Sequence, residues 1–172
     1  MYSLKAEKEA DFWEVEALFD LCFAPGREAL SSYRLRDGVE PVADLCLVAR
    51  DEDGVLAGAI RYWPVLIKGP AHAHRALLLG PVAVHPTRQG EGLGGVLIRD
   101  SVRLASGRGQ GGNRVLLVGD APYYRRFGFR RLTGILMPPP TNPARVLGLA
   151  LAPGAWQDVG GEVQRCADAA SN

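Results

Sequence analysis

The residues with the clearest chemical potential form a glycine-rich segment between a predicted strand and a predicted helix. The segment reads Gln89-Gly90-Glu91-Gly92-Leu93-Gly94-Gly95, and Arg88 comes directly before it. Glycine lets successive backbone N–H groups converge on one point, because no Cβ atom obstructs them. A helix that begins there adds the positive end of its dipole. The pattern predicts a site for an anion such as a phosphate or diphosphate, with the Arg88 guanidinium at its edge.

Two cofactor patterns fit this segment. Gly90, Gly92 and Gly95 satisfy G-x-G-x-x-G, the phosphate-binding turn of dinucleotide-binding folds, and Asp120 follows as a carboxylate for a ribose. In that fold the first glycine follows its strand almost directly, whereas residues 85–89 intervene here. The dinucleotide interpretation is therefore the weaker one. A helix start that merely packs closely, without a ligand, is the third interpretation.

The alternative pattern is Q-x-x-G-x-G, which Gln89 to Gly94 fulfil, and a second motif follows it. Residues 122–129 read Pro-Tyr-Tyr-Arg-Arg-Phe-Gly-Phe and contain Tyr-x-x-x-Gly-Phe. This pair of motifs, in the order strand, glycine-rich helix start, strand and short helix, resembles the GCN5-related N-acetyltransferase (GNAT) superfamily over about residues 76–130. Residues 79–86 and 119–124 resemble a bacterial subgroup of uncharacterised predicted acetyltransferases.

The resemblance implies an α/β (α+β) GNAT fold. Its mixed central sheet has about six to seven strands, helices cover both faces, and two parallel central strands splay apart, here residues 76–84 and 114–118. The implied co-substrate is acetyl-CoA, and no metal is expected. The residues implied to hold acetyl-CoA lie at the end of the first of these strands, in the glycine-rich segment and in the short helix: Val82, Ala83, Val84, Arg88, Gln89, Gly90, Glu91, Gly92, Leu93, Gly94, Gly95, Tyr123 and Arg126.

In this family a primary amine attacks the thioester carbonyl directly, in a ternary complex. An ammonium of pKa about 10.4 must first lose a proton, and the leaving thiolate benefits from gaining one. The resemblance makes Tyr124 the general acid, with Tyr123 as the alternative. The base stays open between Asp120, His85 and a chain of waters. Asp120 also fits a helix cap, and His85 also fits a loop cap.

The surrounding pattern predicts the elements that position these groups. Gly80-Pro81 interrupts one predicted strand, and since proline removes a ladder hydrogen bond we expect a bulge or splay there. In the helix of the glycine-rich segment, the predicted buried face is Leu93, Val96, Leu97 and Leu104. The predicted strands are 2–7, 45–49, 55–63, 76–84, 114–118, 129–132 and 146–151, and the predicted helices are 11–23, 27–35, 92–105 and 122–127.

Composition limits the class of protein. The chain has 172 residues, of which 47% are hydrophobic and 23% charged, as in an average globular protein, so we expect one domain over residues 1–172. The net charge of +1 gives no sign of a nucleic-acid partner. No apolar run approaches the roughly 20 residues that span a bilayer, and residues 1–9 lack the apolar core of a secretion signal. We therefore expect a cytoplasmic protein without a membrane partner.

Cysteine and histidine usage gives no sign of a metal site. Cys22, Cys46 and Cys166 are far apart, so we interpret them as small buried hydrophobic residues. His72 and His74 lack a third ligand at a recognisable spacing.

The function predicted from the sequence is an N-acetyltransferase. It would use acetyl-CoA and a small-molecule amine, or a peptide or protein amine, as acceptor. The alternative is a catalytically silent acyl-CoA-binding or sensor domain. The sequence leaves the acceptor and a homodimer open.

Overall fold

The computed structural model describes residues 1–23, 31–109 and 113–166. Its helices are α1 (Phe12–Phe23), α2 (Leu93–Ser106) and α3 (Ala121–Arg125). Its strands are β1 (Ser3–Ala6), β2 (Leu47–Arg50), β3 (Leu56–Lys68), β4 (Ala73–Val84), β5 (Arg114–Val118), β6 (Arg130–Arg131), β7 (Ile135–Leu136), β8 (Val146–Ala150) and β9 (Gly161–Arg165). Of the predicted helix over 27–35, residues 27–30 lie outside the described residues, and Ser31–Leu35 form a 3-10 turn.

Within the described ranges, all the strands belong to one mixed sheet. Seven of them follow the order β1-β2-β3-β4-β5-β8-β6, and β7 and β9 bring the sheet to nine strands, more than the six to seven predicted. Pairing along this path is antiparallel except between β4 and β5. β9 pairs with the second half of β3 and with β7. The sequence did not predict β7 and β9, because β7 has two residues and β9 buries only Val163.

The central parallel pair separates soon after it forms. β4 and β5 share only the pairs Leu77–Val115 and Leu78–Leu116, although β4 continues to Val84. Beside β3, the register steps from Ile60–Val82 to Tyr62–Leu79, so β4 carries one extra residue at Gly80-Pro81. A proline has no N–H to donate, and the extra residue bends the strand. The predicted bulge and splay at this dipeptide are therefore confirmed.

Helices cover both faces of the sheet, as predicted. On one face, Val15 and Phe19 of α1 pack with Ala59 and Ala83. On the opposite face, α2 packs over β3 and β4, with Leu97 fully buried.

The predicted inner face of α2 is correct for Leu93 and Leu97 and wrong for two other residues. Val96 and Leu104 are 39% and 42% exposed, and Ser101 is buried instead. The Ser101 hydroxyl lies 2.8 Å from the Tyr62 hydroxyl and also bonds the Leu97 carbonyl, so its burial is compensated. A buried serine does not register in a pattern of apolar residues.

The cysteines are free thiols, as expected of small core residues. Cys46 and Cys166 are buried, whereas Cys22 is half-buried. Burial raises the pKa of the Cys46 thiol to about 11, so this thiol stays protonated at neutral pH.

Candidate active site

The glycine-rich segment forms an open backbone cradle at the start of α2. Gly90 and Gly92 have φ of +88° and +80°, and no atom lies within 4 Å of the place where a Cβ would stand. Gly92 caps α2 without a side-chain hydrogen bond, and the first helical bond runs from Val96 N to Gly92 O at 3.2 Å. The N–H groups of residues 93–95 therefore have no carbonyl acceptor within the helix. This 14-residue helix presents both its free N–H groups and the positive end of its dipole.

The next two glycines have a packing role. A Cβ on Gly94 would lie 3.1 Å from the Tyr123 hydroxyl oxygen. A Cβ on Gly95 would lie 3.4 Å from the Phe127 ring and 3.2 Å from Nη1 of Arg99. These glycines let the first turn of α2 approach α3 closely. Gly94 and Gly95 thus serve the close packing of the helix start, whereas Gly90 and Gly92 give the cradle its positive-φ backbone.

The end of β4 directs main-chain groups toward the splay. His85 N donates to Ala57 O at 2.8 Å, which makes these two residues a hydrogen-bonded pair of the antiparallel ladder. The next pair, Val84–Gly58, is therefore a non-hydrogen-bonded pair. The alternation of the ladder then turns the N–H and C=O of Val82 and Val84 away from β3, toward the β5 side. The Gln89 amide donates to Val84 O at 3.3 Å and links the strand to the cradle.

Ala83, between these two valines, has a different environment. Its main chain pairs with Ala59 of β3, and its side chain is buried beneath α1. Its polar groups therefore face β3 rather than the splay.

The charged side chains near the cradle are engaged with other protein groups. Arg88 Nη2 lies 2.6 Å from Asp51 Oδ2, and the Tyr2 hydroxyl donates to Glu91. The Arg126 guanidinium lies 5.0 Å from the centre of the Tyr123 ring.

A cavity of about 370 Å³ occupies the splay. Residues 78–82 of β4 form one wall, and residues 117–120 at the end of β5 form another, together with Tyr123 and Tyr124. The remaining lining residues are Phe23, Ser32, Tyr33, Arg36 and Arg145. Sequence reasoning did not identify Arg36 or Arg145. The motifs end before Arg145, and Arg36 carries no motif.

Tyr124 is held firmly at the base of this cavity. Its ring packs on Phe129 at 5.8 Å between centres, and a Cβ on Gly119 would meet the ring at 2.6 Å, so only glycine fits there. Burial raises the pKa of the Tyr124 hydroxyl to about 12, so this group stays protonated at physiological pH. The hydroxyl makes no hydrogen bond to another residue of the described ranges.

The two residues considered as the base differ in position. Asp120 lines the cavity and also caps α3, since its Oδ2 accepts a hydrogen bond from Tyr123 N at 3.2 Å. His85 Nδ1 accepts from Thr87 N at 3.2 Å and lies 2.8 Å from Thr87 Oγ1. The His85 imidazole thus caps the loop and is outside the cavity lining.

Residues 1–23, 31–109 and 113–166 contain neither a cluster of metal-binding side chains nor a membrane-spanning helix. The rings of His72 and His74 are 6.3 Å apart, and no three His, Cys, Asp or Glu side chains among those residues converge as a metal site would require. None of the described helices combines the length and apolar character needed to cross a bilayer.

Known proteins match both the sequence and the fold. A family model described as "Acetyltransferase (GNAT) domain" matches residues 43–131. The uncharacterized N-acetyltransferase YjhQ of Escherichia coli is 38% identical over 90 residues. That match covers 52% of this chain and 48% of YjhQ, about half the length of the relative.

Two solved structures cover nearly the whole chain. YhbS of Escherichia coli, in complex with CoA, has a TM-score of 0.79 and 26% identity, over 95% of this chain and 89% of YhbS. A GNAT family acetyltransferase from Brucella melitensis, in complex with acetyl-CoA, has a TM-score of 0.69 and 31% identity, over 97% of each chain. The family model covers more than half of the sequence, and this relative aligns along almost all of it. The chain therefore belongs to the GNAT acetyltransferase family.

Proposed function

We propose that this protein transfers an acetyl group from acetyl-CoA to a primary amine by direct attack in a ternary complex. The observation that carries the proposal is that Tyr123 links the cradle at α2 to the cavity between β4 and β5: Tyr123 lines the cavity, and its hydroxyl lies 3.1 Å from where a Cβ of Gly94 would stand. An anion site joined to a gap in a sheet suits a long ligand with a diphosphate at one end and a thioester at the other. The relatives from E. coli and B. melitensis, solved with CoA and acetyl-CoA, support this ligand.

The main chain supplies most of the binding in this proposal. N–H groups of residues 90–95 hold the diphosphate, and those of Val82 and Val84 bond the pantetheine arm and the acetyl carbonyl oxygen. Backbone donors fixed in a strand are already oriented toward the oxygen on which negative charge develops. Arg88, which directly precedes the cradle and pairs with Asp51, and Arg126, which packs on Tyr123, add positive charge around the phosphates in this proposal.

Two side chains carry the protons. Asp120, the carboxylate in the described part of the cavity wall, takes a proton from the acceptor ammonium directly or through water. The amine nitrogen bonds to the acetyl carbon, the carbon–sulfur bond breaks, and the Tyr124 hydroxyl donates its proton to the departing sulfur. The second proton of the nitrogen passes through water to restore Tyr124, and Asp120 releases the first proton to solvent. His85 has no part in this scheme, because its imidazole is held by Thr87.

The test is release of free CoA by the purified protein with acetyl-CoA and a panel of amines, with mass spectrometry of the acetylated products. We expect amine-dependent release of CoA. A silent acyl-CoA-binding domain would gain thermal stability from acetyl-CoA yet release no CoA with any amine. Stabilisation by NADH or FAD but not by acetyl-CoA would instead favour the dinucleotide interpretation.

We further infer that residues 1–172 act as one acetyltransferase domain. Light scattering on the purified chain tests the homodimer that the sequence left open.

A further inference from the structure

We propose that Arg99 of α2 and Arg126 at the end of α3 bind the 3′-phosphate of acetyl-CoA, so that the protein distinguishes CoA from dephospho-CoA. This inference rests on the acetyl-CoA binding of the proposed function and deepens it, because it assigns the nucleotide end of the ligand to named side chains. The reasons are the placement of the two guanidinium groups, their charge and the covalent structure of the ligand.

A row of aromatic side chains leads from the cavity past the cradle. Tyr123 lines the cavity, and its ring centre lies 5.4 Å from that of Phe127. Phe127 packs against the first turn of α2, since a Cβ on Gly95 would be 3.4 Å from its ring. The Phe127 ring, unlike that of Tyr123, is outside the cavity lining. The row therefore runs from the splay along the contact between α2 and α3.

Each of the two arginines packs on one ring of this row. The guanidinium carbon of Arg126 is 5.0 Å from the centre of the Tyr123 ring, and that of Arg99 is 5.2 Å from the centre of the Phe127 ring. Nη1 of Arg99 is also 3.2 Å from where a Cβ of Gly95 would stand, so this guanidinium borders the start of α2. Both arginines are exposed and outside the cavity lining. A guanidinium placed by an aromatic ring has already lost much of its side-chain freedom, so it binds an anion at a lower entropic cost.

The charges of these two groups are not paired with carboxylates. Within residues 1–23, 31–109 and 113–166, the side chains of Arg99 and Arg126 contact rings but form no ion pair and no hydrogen bond. Arg88 differs, because it is paired with Asp51 at 2.6 Å. Two cations on neighbouring rings repel each other, and a phosphate that bonds both replaces this repulsion with charge-assisted hydrogen bonds.

The covalent structure of CoA indicates which phosphate reaches these arginines. The pantetheine arm leaves one end of the diphosphate and, in the proposed function, enters the splay. The ribose is attached to the other end, so it lies outside the splay, as Arg99 and Arg126 do. Its 3′-phosphate is separated from the diphosphate by that single ribose. Guanidinium groups match the geometry of phosphate oxygens, so this phosphate is the group that the two arginines suit.

The experiment compares CoA with dephospho-CoA, which differs only in lacking this phosphate, on the unmodified protein. Calorimetric titration gives the Kd of each ligand, and steady-state kinetics with one amine gives KM and kcat for the two acetyl thioesters. We expect Kd and KM to be about tenfold higher or more for the dephospho forms, as expected for charge-assisted hydrogen bonds. The value of kcat should change little, because the phosphate binds far from the reacting atoms and contributes equally to the ground state and the transition state.

Variants assign the effect to the two side chains. Arg99→Gln and Arg126→Gln should each raise the Kd for CoA several-fold and leave the Kd for dephospho-CoA nearly unchanged. Arg99→Lys should keep part of the preference, because the charge is kept and only the planar fork is lost. Arg108→Gln is the matched control, since this exposed arginine lies beyond the far end of α2 and pairs with Asp44. It should keep the full preference for CoA.

The outcomes separate this inference from the proposed function. Equal Kd values for CoA and dephospho-CoA, or a preference that neither Gln substitution reduces, would overturn the inference and leave the acetyltransferase standing. The expected preference without release of CoA by any amine would overturn the proposed transfer and leave the inference standing. Failure of CoA to bind would overturn both. The comparison of the two ligands needs no variant, so a folding defect in Arg99→Gln does not affect it.

Discussion

Tyr124 is the residue on which the proposed proton transfer depends. Its ring is wedged between Gly119 and Phe129, so its hydroxyl has one position relative to the cavity. Tyr123 lies beside it with ring centres 5.0 Å apart, but its hydroxyl is directed at Gly94 in the first turn of α2. The geometry therefore favours Tyr124 as the acid and gives Tyr123 a packing role under the cradle.

Tyr124→Phe should lower kcat on the order of 10²-fold and leave the Kd for acetyl-CoA within about twofold, since only the proton donor is removed. Tyr123→Phe is the matched control and should keep most of kcat. Steady-state kinetics and calorimetric titration measure both effects. Unchanged turnover in Tyr124→Phe would remove this residue from the mechanism, and a large loss confined to Tyr123→Phe would transfer the role to Tyr123.

The pH dependence follows from the same side chain. Because burial raises the pKa of Tyr124 to about 12, the hydroxyl keeps its proton at every pH below about 11. Activity should therefore rise with pH as the acceptor loses its ammonium proton, without a fall caused by Tyr124. A pH profile of kcat/KM from pH 6 to 10 measures this. A descending limb in that range that disappears in Tyr124→Phe would contradict the assignment.

At the scale of elements, the start of α2 carries the cofactor site. The helix has a glycine cap with positive φ and open space above it, and its first N–H groups have no acceptor within the helix. A side chain at Gly92 would strain the backbone and change the direction of those N–H groups.

Gly92→Ala should lower the free energy of unfolding by about 1–2 kcal/mol, the cost of a left-handed conformation for a residue with a Cβ, and should also raise the Kd for acetyl-CoA. Gly134→Ala is the control, since Gly134 has φ of +74° and equally open surroundings away from the cradle. It should cost similar stability and leave the Kd unchanged. Equal Kd values for the two variants would show that the cradle does not bind the ligand.

The sequence predicted most of the elements around the site, for physical reasons that differ between elements. β5 is a continuous apolar run, and its observed bounds equal the predicted 114–118. The Gly80-Pro81 bulge follows from the chemistry of proline. β9 was missed because it is an exposed strand, recruited to the second half of β3 by tertiary contacts rather than by its own pattern.

The site was predicted where motifs exist and missed where they do not. The cradle and Tyr124 belong to two motifs of fixed spacing. Arg36 follows the 3-10 turn Ser31–Leu35, and Arg145 ends a second 3-10 turn, Pro143–Arg145. The two residues are more than a hundred positions apart, and only the fold brings them to one cavity.

At the scale of the whole molecule, a buried ion-pair network ties α1 to the sheet. Arg61 of β3 is 7% exposed and bonds Glu7 Oε1 at 2.7 Å and Glu16 Oε2 at 2.7 Å. Its guanidinium also lies 5.1 Å from the centre of the Phe19 ring. This network holds α1, whose last residue Phe23 lines the cavity, against the face opposite α2.

Arg61→Ala should lower the free energy of unfolding by about 3–5 kcal/mol, because it leaves Glu7 charged and buried without its partner. Arg103→Ala breaks only an exposed pair with Asp100 at 3.7 Å and should cost less than about 1 kcal/mol. Urea unfolding of both variants measures the difference. A loss below 1 kcal/mol for Arg61→Ala would show that the network contributes little to holding α1.

The central claim is that the cradle and the splay together bind one acetyl-CoA molecule, and a crystal structure of the protein grown with CoA tests it most directly. We predict diphosphate oxygens within about 2.7–3.2 Å of N–H groups in residues 90–95, and the thiol between β4 and β5 near the Tyr124 hydroxyl. A diphosphate bound elsewhere, or a thiol outside the splay, would contradict the account.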